Sequence, residues 1–132
     1  MNYVDTGPFL ALHLRNDQHH DAAIRLWPTL GHPVVTSNHV LDELATALAR
    51  RAGYRFAADC VSDIYTTPTI EVVQSTREDE VEAVSWMRKY SDQSMSFTDC
   101  ISFSIMRRRR VRAAFTFDRH FRQAGFRVIG LG

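Results

Sequence analysis

The sequence predicts an α/β sandwich, a central and mostly parallel sheet with helices on both faces. Three observations predict it. Short apolar runs of strand character alternate with longer segments of helical spacing, the pattern of parallel strands joined by helical crossovers. The 132 residues are 45% hydrophobic and 23% charged, so the chain can bury a core without a disulfide or structural metal. No internal repeat, low-complexity tract or linker interrupts residues 1–132, which read as one domain.

Met1 to Asp5 predicts a strand that ends on a carboxylate, and Thr6-Gly7-Pro8 stops it and opens a short helix around Phe9 to Leu14. From His20, the positions Ala23, Leu26, Trp27 and Leu30 keep helical spacing until Gly31-His32-Pro33 break it. Val34 to Thr36 then reads as the second strand. Val40, Leu44, Ala47 and Leu48 form the apolar arc of a helix capped by Ser37 or Asn38 and ended near Gly53. Ala57, Cys60, Val61 and Ile64 predict another helix, closed by Thr67-Pro68 before a strand at Ile70 to Val73. Thr76 to Tyr90 predicts a polar helix with Val81, Val84 and Met87 inward. Ser91 to Ser94 is a loop, and the helix started by Ser96 runs into Arg107 to Arg110. Ala113 to Phe117 predicts a strand, Asp118 to Gln123 a short helix, and Arg127 to Ile129 a last strand after Gly125.

Sixteen Lys plus Arg against fifteen Asp plus Glu give a formal charge of +1, which disfavours a tail-driven or histone-like nucleic-acid binder. It does not disfavour a nuclease, in which opposite charges are segregated in space. Cys60 and Cys100 lack metal or redox spacing and read as small core residues. Met1 to Leu14 has neither a charged leader nor the length to span a bilayer, so the expectation is a cytoplasmic protein with no membrane contact.

In an open parallel sheet the ligand site lies beyond the carboxyl ends of the strands. Asp5 and Asp118 each end a strand there, Glu43 lies little more than one turn into the helix after the second strand, and Asp99 sits in the first turn of its helix. Taken singly, each acid suits a helix start. Ser96-x-x-Asp99 is a capping-box pattern, Asp118 and Asp5 can cap, and Glu43 suits the positive end of a helix dipole. Four at one rim is a different matter. Two carboxylates about 5 Å apart repel by roughly 3 kcal/mol at an effective dielectric of 20, so their convergence calls for a cation. Asp99, Phe103 and Met106 share one face of a helix whose other face carries Phe97, Ile101 and Ile105, which predicts burial of the whole helix and a partner for the carboxylate. The only lysine is Lys89, on a different helix, and oxygen ligands alone select a hard ion, Mg²⁺ or Mn²⁺.

Four segments, Val4-Asp5-Thr6-Gly7, Thr36 to Leu44, Ser96 to Phe103 and Thr116 to Phe121, together resemble the PIN domain, and among PIN domains the VapC-type toxins of bacterial type II toxin–antitoxin systems. The resemblance covers the whole chain in the right order. It implies a PIN-like three-layer α/β/α sandwich and a metal-dependent ribonuclease with Asp5, Glu43, Asp99 and Asp118 around one or two Mg²⁺ or Mn²⁺ ions. Under it, Asp5 and Asp99 are the first metal ligands, Glu43 a ligand or water-orienting base, and Asp118 an outer or second-metal ligand. It also implies RNA cleavage by metal-activated water, leaving 5′-phosphate and 3′-hydroxyl ends, and a homodimer restrained by a small cognate antitoxin. Thr6, Ser96 or Thr98 matches the family's hydroxyl near the metal, and Asp92 matches an acid common in the preceding loop.

Arg119 and His120, just past Asp118, are placed to meet a substrate phosphate, with local packing the alternative for His120. Arg107 to Arg110 with Arg112 suit a helix C-terminus, and at 1.5 Å per residue Arg109 lies about 15 Å from Asp99 along the helix. His19, His20 and His32 lack ligand spacing and read as solvated surface. Phe9, Leu10, Leu14, Trp27 and Leu30 read as core, and by the family resemblance some line an antitoxin groove. Three other readings compete: a PIN nuclease outside toxin–antitoxin biology, a metal-independent ribonuclease with paired histidines, and a non-catalytic receiver-like module. The last uses a lysine on a late strand, which this chain lacks. Gathering the four acids on metal leaves 16 − (15 − 4) = +5, a basic body suited to a polyanion.

Overall fold

Short runs rich in Val, Ile, Tyr and Phe form five parallel strands in the computed structural model, which describes residues 1–131. They are β1 (Asn2–Val4), β2 (Val34–Ser37), β3 (Ile70–Val73), β4 (Ala113–Phe115) and β5 (Arg127–Ile129), in the order β3-β2-β1-β4-β5. Successive strand residues point to opposite faces, yet every residue of β2 and β4 is buried, so these strands are covered on both sides.

The helices are α1 (Thr6–His13), α2 (His20–Leu26), α3 (Asn38–Ala52), α4 (Tyr54–Thr66), α5 (Arg77–Lys89), α6 (Phe97–Arg108) and α7 (His120–Gln123). Ser37 caps α3 by accepting from Val40 N, and Gly53, at φ 93°, ends it. Leu41, Leu44 and Leu48 of α3, with Ile101, Phe103 and Ile105 of α6, are among the most buried side chains of the core. Cys60 and Cys100 are buried and unbridged.

Strand order places the site. Consecutive chain crossings leave β1 toward β2 on one side, whereas β4 joins β1 on the other, so the crevice of the switch lies at the carboxyl ends of β1 and β4. The register Val4↔Phe115 brings the residues that follow each strand side by side.

Several expectations are corrected. On α5 the inward residues are Asp79, Ala83 and Trp86, while Val81, Val84 and Met87 are 59%, 38% and 42% exposed. The cause is a carboxylate in the buried stripe: Asp79 takes two hydrogen bonds from Arg108, from Nε at 3.0 Å and Nη2 at 2.8 Å, and that pairing sets which face meets α6. Phe97 is 39% exposed because it occupies the first position of α6, before that helix enters the core. β4 stops at Phe115 and α1 begins at Thr6. His19 and His20 are half-buried, His19 stacked on Phe117 at 4.2 Å and His20 Nδ1 2.6 Å from Ala11 O; only His32 is fully exposed.

Candidate active site

The four predicted acids reach one cleft by three local routes. β1 runs into α1 with no intervening loop, so Asp5 sits at the bend: its N–H donates to Phe115 O at 3.0 Å, and Thr116 Oγ1 donates to its Oδ2 at 2.8 Å. Asp118 follows β4 through the same threonine, whose Oγ1 accepts from Asp118 N at 3.0 Å. Glu43 and Asp99 arrive on α3 and α6. An open cleft of about 460 Å³ is lined by Asp5, Glu43, Asp99 and Asp118, together with Thr6, Ser96 and His120.

Capping accounts for none of the acids, and only Asp118 has a local turn bond; the N-cap position of α7 is Arg119. Asp118 Oδ1 accepts from His120 N at 2.9 Å, a local turn that orders the entry to α7. Asp5 makes no capping bond to α1 although it precedes that helix. Ser96 caps α6 by accepting from Asp99 N at 3.0 Å, but no reciprocal bond from the Asp99 carboxylate completes a box, in contrast to the Thr76 and Asp79 pair on α5. Glu43 lies beyond the first turn of α3 and is exposed at the cleft.

Asp5 is 6% and Asp99 7% exposed, and neither has an arginine or lysine partner. Burial, then the neighbouring Asp99 charge, pushes the Asp5 carboxyl up to about 7. Burial, then the charges of Asp118 and Glu43, pushes Asp99 up to about 6. Three buried polar atoms in this region make no hydrogen bond among the described residues: Asp5 Oδ1, Thr6 Oγ1 and His120 Nδ1. That nitrogen lies 3.2 Å from Asp118 Oδ1 and 3.5 Å from Asp99 Oδ2, and one donor atom from each of the three residues falls within 4.8 Å of the others. Orphaned oxygen donors, crowded acids and no fixed countercharge together fit a hard divalent cation.

Beneath the cleft a polar network locks the supporting elements. Tyr3 Oη donates to Ser37 Oγ at 3.1 Å and lies 2.7 Å from Ser102 Oγ, joining β1 to the caps of α3 and to the middle of α6. Burial pushes the Tyr3 hydroxyl far above the ordinary phenol range, which keeps it a neutral donor.

Of the other predicted residues, Thr98 is half-buried, Asp92 is exposed and Arg119 is exposed; none of the three lines the cleft. His120 does line it, beside the acids. The residue missed by sequence reasoning is Thr116, the single hydroxyl in the run Ala113-Ala114-Phe115-Thr116-Phe117, fully buried and bonded to two of the acidic residues. A polar residue closing an otherwise apolar strand at the carboxyl rim was the available signal.

The family model described as PIN domain matches residues 3–127. The 23S rRNA-specific endonuclease VapC20 of Mycobacterium tuberculosis is 38% identical to this chain over 126 residues, 96% of this chain and 95% of the relative. The crystal structure of that species' VapC20, described as a sarcin–ricin loop cleaving toxin, superposes with a TM-score of 0.90 at 36% identity and covers 96% of both chains. A toxin–antitoxin complex from Klebsiella pneumoniae shares the fold, with a TM-score of 0.71 at 12% identity over 98% of this chain and 96% of that one.

Proposed function

The chain belongs to the PIN-domain family, and from that premise we propose that it is a divalent-metal-dependent endoribonuclease, the toxin of a type II toxin–antitoxin pair, with residues 1–132 as one catalytic domain. The observation that carries the reading is the pair Asp5 and Asp99, buried, crowded and paired with no arginine or lysine among the described residues. The substrate class is structured RNA, with 23S rRNA the first candidate because the relative of 38% identity is named for it.

Asp5 Oδ1 and the Asp99 carboxylate would hold Mg²⁺ or Mn²⁺, with Asp118 as an outer ligand. Such an ion supplies Lewis-acid activation of water and of the scissile phosphate. Thr116 fixes Asp5 by engaging Oδ2, which leaves Oδ1 without a hydrogen-bond partner among the described residues, and it fixes the Asp118 backbone with its other bond. Glu43, exposed to solvent at the cleft wall, accepts a proton from the attacking water or orients it. His120 holds its imidazole against Asp99 and Asp118, and Thr6, which also lines the cleft, has a hydroxyl with no hydrogen-bond partner among the described residues. Ser96 orders the first turn of α6 and with it Asp99. Cleavage by this set leaves a 5′ phosphate and a 3′ hydroxyl. Thr98, Asp92 and Arg119 lie outside the cleft lining.

A cognate antitoxin, a homodimer and a cytoplasmic site complete the proposal; no helix among the described residues is long and apolar enough to cross a membrane. The decisive experiment maps RNA ends after expression of the wild type and of Asp99→Asn. New 5′-phosphate ends that require Asp99 support the reading. Cyclic-phosphate ends, or cleavage that persists in EDTA, identify a metal-independent enzyme instead.

A further inference from the structure

Charge is divided unevenly along this chain. From Arg107 onward the sequence carries eight arginines and a single acid, Asp118, a formal +7; the 106 residues before it carry eight bases and fourteen acids, a formal −6. The fold gathers the basic part on the β4–α7–β5 side of the sheet, whose outer strand is β5.

The eight arginines fall into two groups. Arg107, Arg108 and Arg109 close α6 and are paired, with Glu82 at 3.7 Å, Asp79 at 2.8 Å and Glu71 at 2.7 Å. A helix C-terminus with ion-pair partners accounts for them. Arg110, Arg112, Arg119, Arg122 and Arg127 are all exposed and make no ion pair among the described residues. Guarding an edge strand accounts for Arg127 alone.

Their placement is continuous. Arg119 adjoins Asp118 at the catalytic rim and Arg122 follows in α7. Arg127 then opens β5 at the far end of the strands, where its N–H donates to Arg112 O at 2.9 Å. Arg110 takes the left-handed conformation, φ 56°, in the turn that ends α6, where Val111 N donates to Met106 O at 2.9 Å. Glycine occupies such a position with less strain, and Arg110 instead places an exposed guanidinium there with no ion-pair partner among the described residues. Here a concavity of about 370 Å³ has Met106, Val111 and Phe126 as apolar lining and Arg107, Arg110 and Arg112 as basic lining. Met106 and Val111 are buried beneath it, so the accessible lining is guanidinium with the half-buried Phe126, which suits a phosphodiester chain because Arg binds phosphate bidentately and stacks on planar rings.

Resting on the ribonuclease reading above, we propose that Arg110, Arg112 and Arg127 form an RNA exosite at the amino ends of β4 and β5, which grips the phosphate backbone of a structured RNA while its scissile bond lies in the acidic cleft. The arginines supply the attraction that the acidic cleft cannot, and they favour long, folded substrates over short ones.

The test compares wild type with the Arg110→Ala/Arg112→Ala/Arg127→Ala triple variant and with the corresponding triple Lys variant, each confirmed folded by circular dichroism. Binding of a fluorescent stem–loop with a long stem is measured across a KCl series, and cleavage is measured on that RNA and on a minimal loop of the same cut sequence. The expected result is a salt slope reduced by about 2 to 3 in the Ala variant, at roughly 0.7–0.9 per phosphate contact. Its KM on the long RNA rises about tenfold or more, cleavage of the minimal loop is unchanged, and the Lys variant retains most of the slope. An unchanged salt slope and KM on the long RNA overturn the exosite, including the case in which these arginines serve an acidic protein segment. RNA that is bound through the arginines but never cut leaves the exosite standing and overturns the ribonuclease reading.

Discussion

Two buried carboxylate sites in this molecule are built from the same residue type and end in opposite electrostatic states. Asp79 on α5 is 3% exposed, and Arg108 grips it through Nε and Nη2 while Thr76 N donates to it at 2.9 Å; these bonds outweigh burial and hold its carboxyl below the ordinary range. Asp5 and Asp99 are buried nearly as deeply, receive no arginine or lysine, with only the His120 imidazole 3.5 Å from Asp99, and are pushed up instead. The fold therefore supplies an arginine to Asp79 and none to the two carboxylates that the proposed function assigns to metal.

The largest effect should come from breaking the unpaired site. Asp99→Asn or Asp5→Asn is expected to lower RNA cleavage by at least about 10³-fold, measured as kcat/KM, while the metal-free protein keeps its fold. Removing the carboxylate at the paired site should do the reverse: Asp79→Asn leaves cleavage chemistry intact but lowers stability by about 2 kcal/mol in urea unfolding. That figure lies between surface and buried ion pairs, because the Arg108 side chain is 40% exposed.

Thr116→Val sharpens the comparison, since it removes the support of Asp5 without removing a ligand. A loss of about 10-fold to 100-fold in Mg²⁺ affinity or activity is expected, with little change in circular dichroism. The smallest effect is Ser96→Ala, which takes away the cap of α6 and should cost about 1 kcal/mol of stability with a modest fall in activity.

These contrasts also show what the sequence conveys. Strands were legible as short apolar runs, and the acids could be assigned to the carboxyl rim because alternating strands and helices fix where strand ends lie. The inward face of α5 was not legible: periodicity selects Val81, Val84 and Met87, whereas a specific bond between Asp79 and an arginine twenty-nine residues away decides the packing. Hydropathy has no representation of a buried ion pair. Thr116 was missed for a related reason, because its importance is a register fact, the alignment of β1 with β4 that sets its hydroxyl against Asp5. The capping-box pattern read at Ser96-x-x-Asp99 likewise did not reveal that the serine alone caps, and the reciprocal box lies instead at Thr76 and Asp79.

The contrast between the two sites carries opposite pH signs. Folded Asp5 and Asp99 bind protons more tightly, at about 7 and about 6, than the ordinary value of 3.8 that applies unfolded. Their contribution to stability is therefore full below the unfolded value and lost as pH rises through 6 to 7. Asp79, shifted downward, contributes above its unfolded value and loses that contribution as pH falls into the acid range. The most direct measurement is the Tm of wild type and Asp5→Asn at pH 5 and pH 8, in EDTA and in Mn²⁺. The account predicts that wild type in EDTA is less stable at pH 8 than at pH 5 through these groups, that Mn²⁺ restores the loss at pH 8, and that Asp5→Asn shows a smaller loss and little response to Mn²⁺. A wild-type Tm at pH 8 that Mn²⁺ leaves unmoved would contradict it.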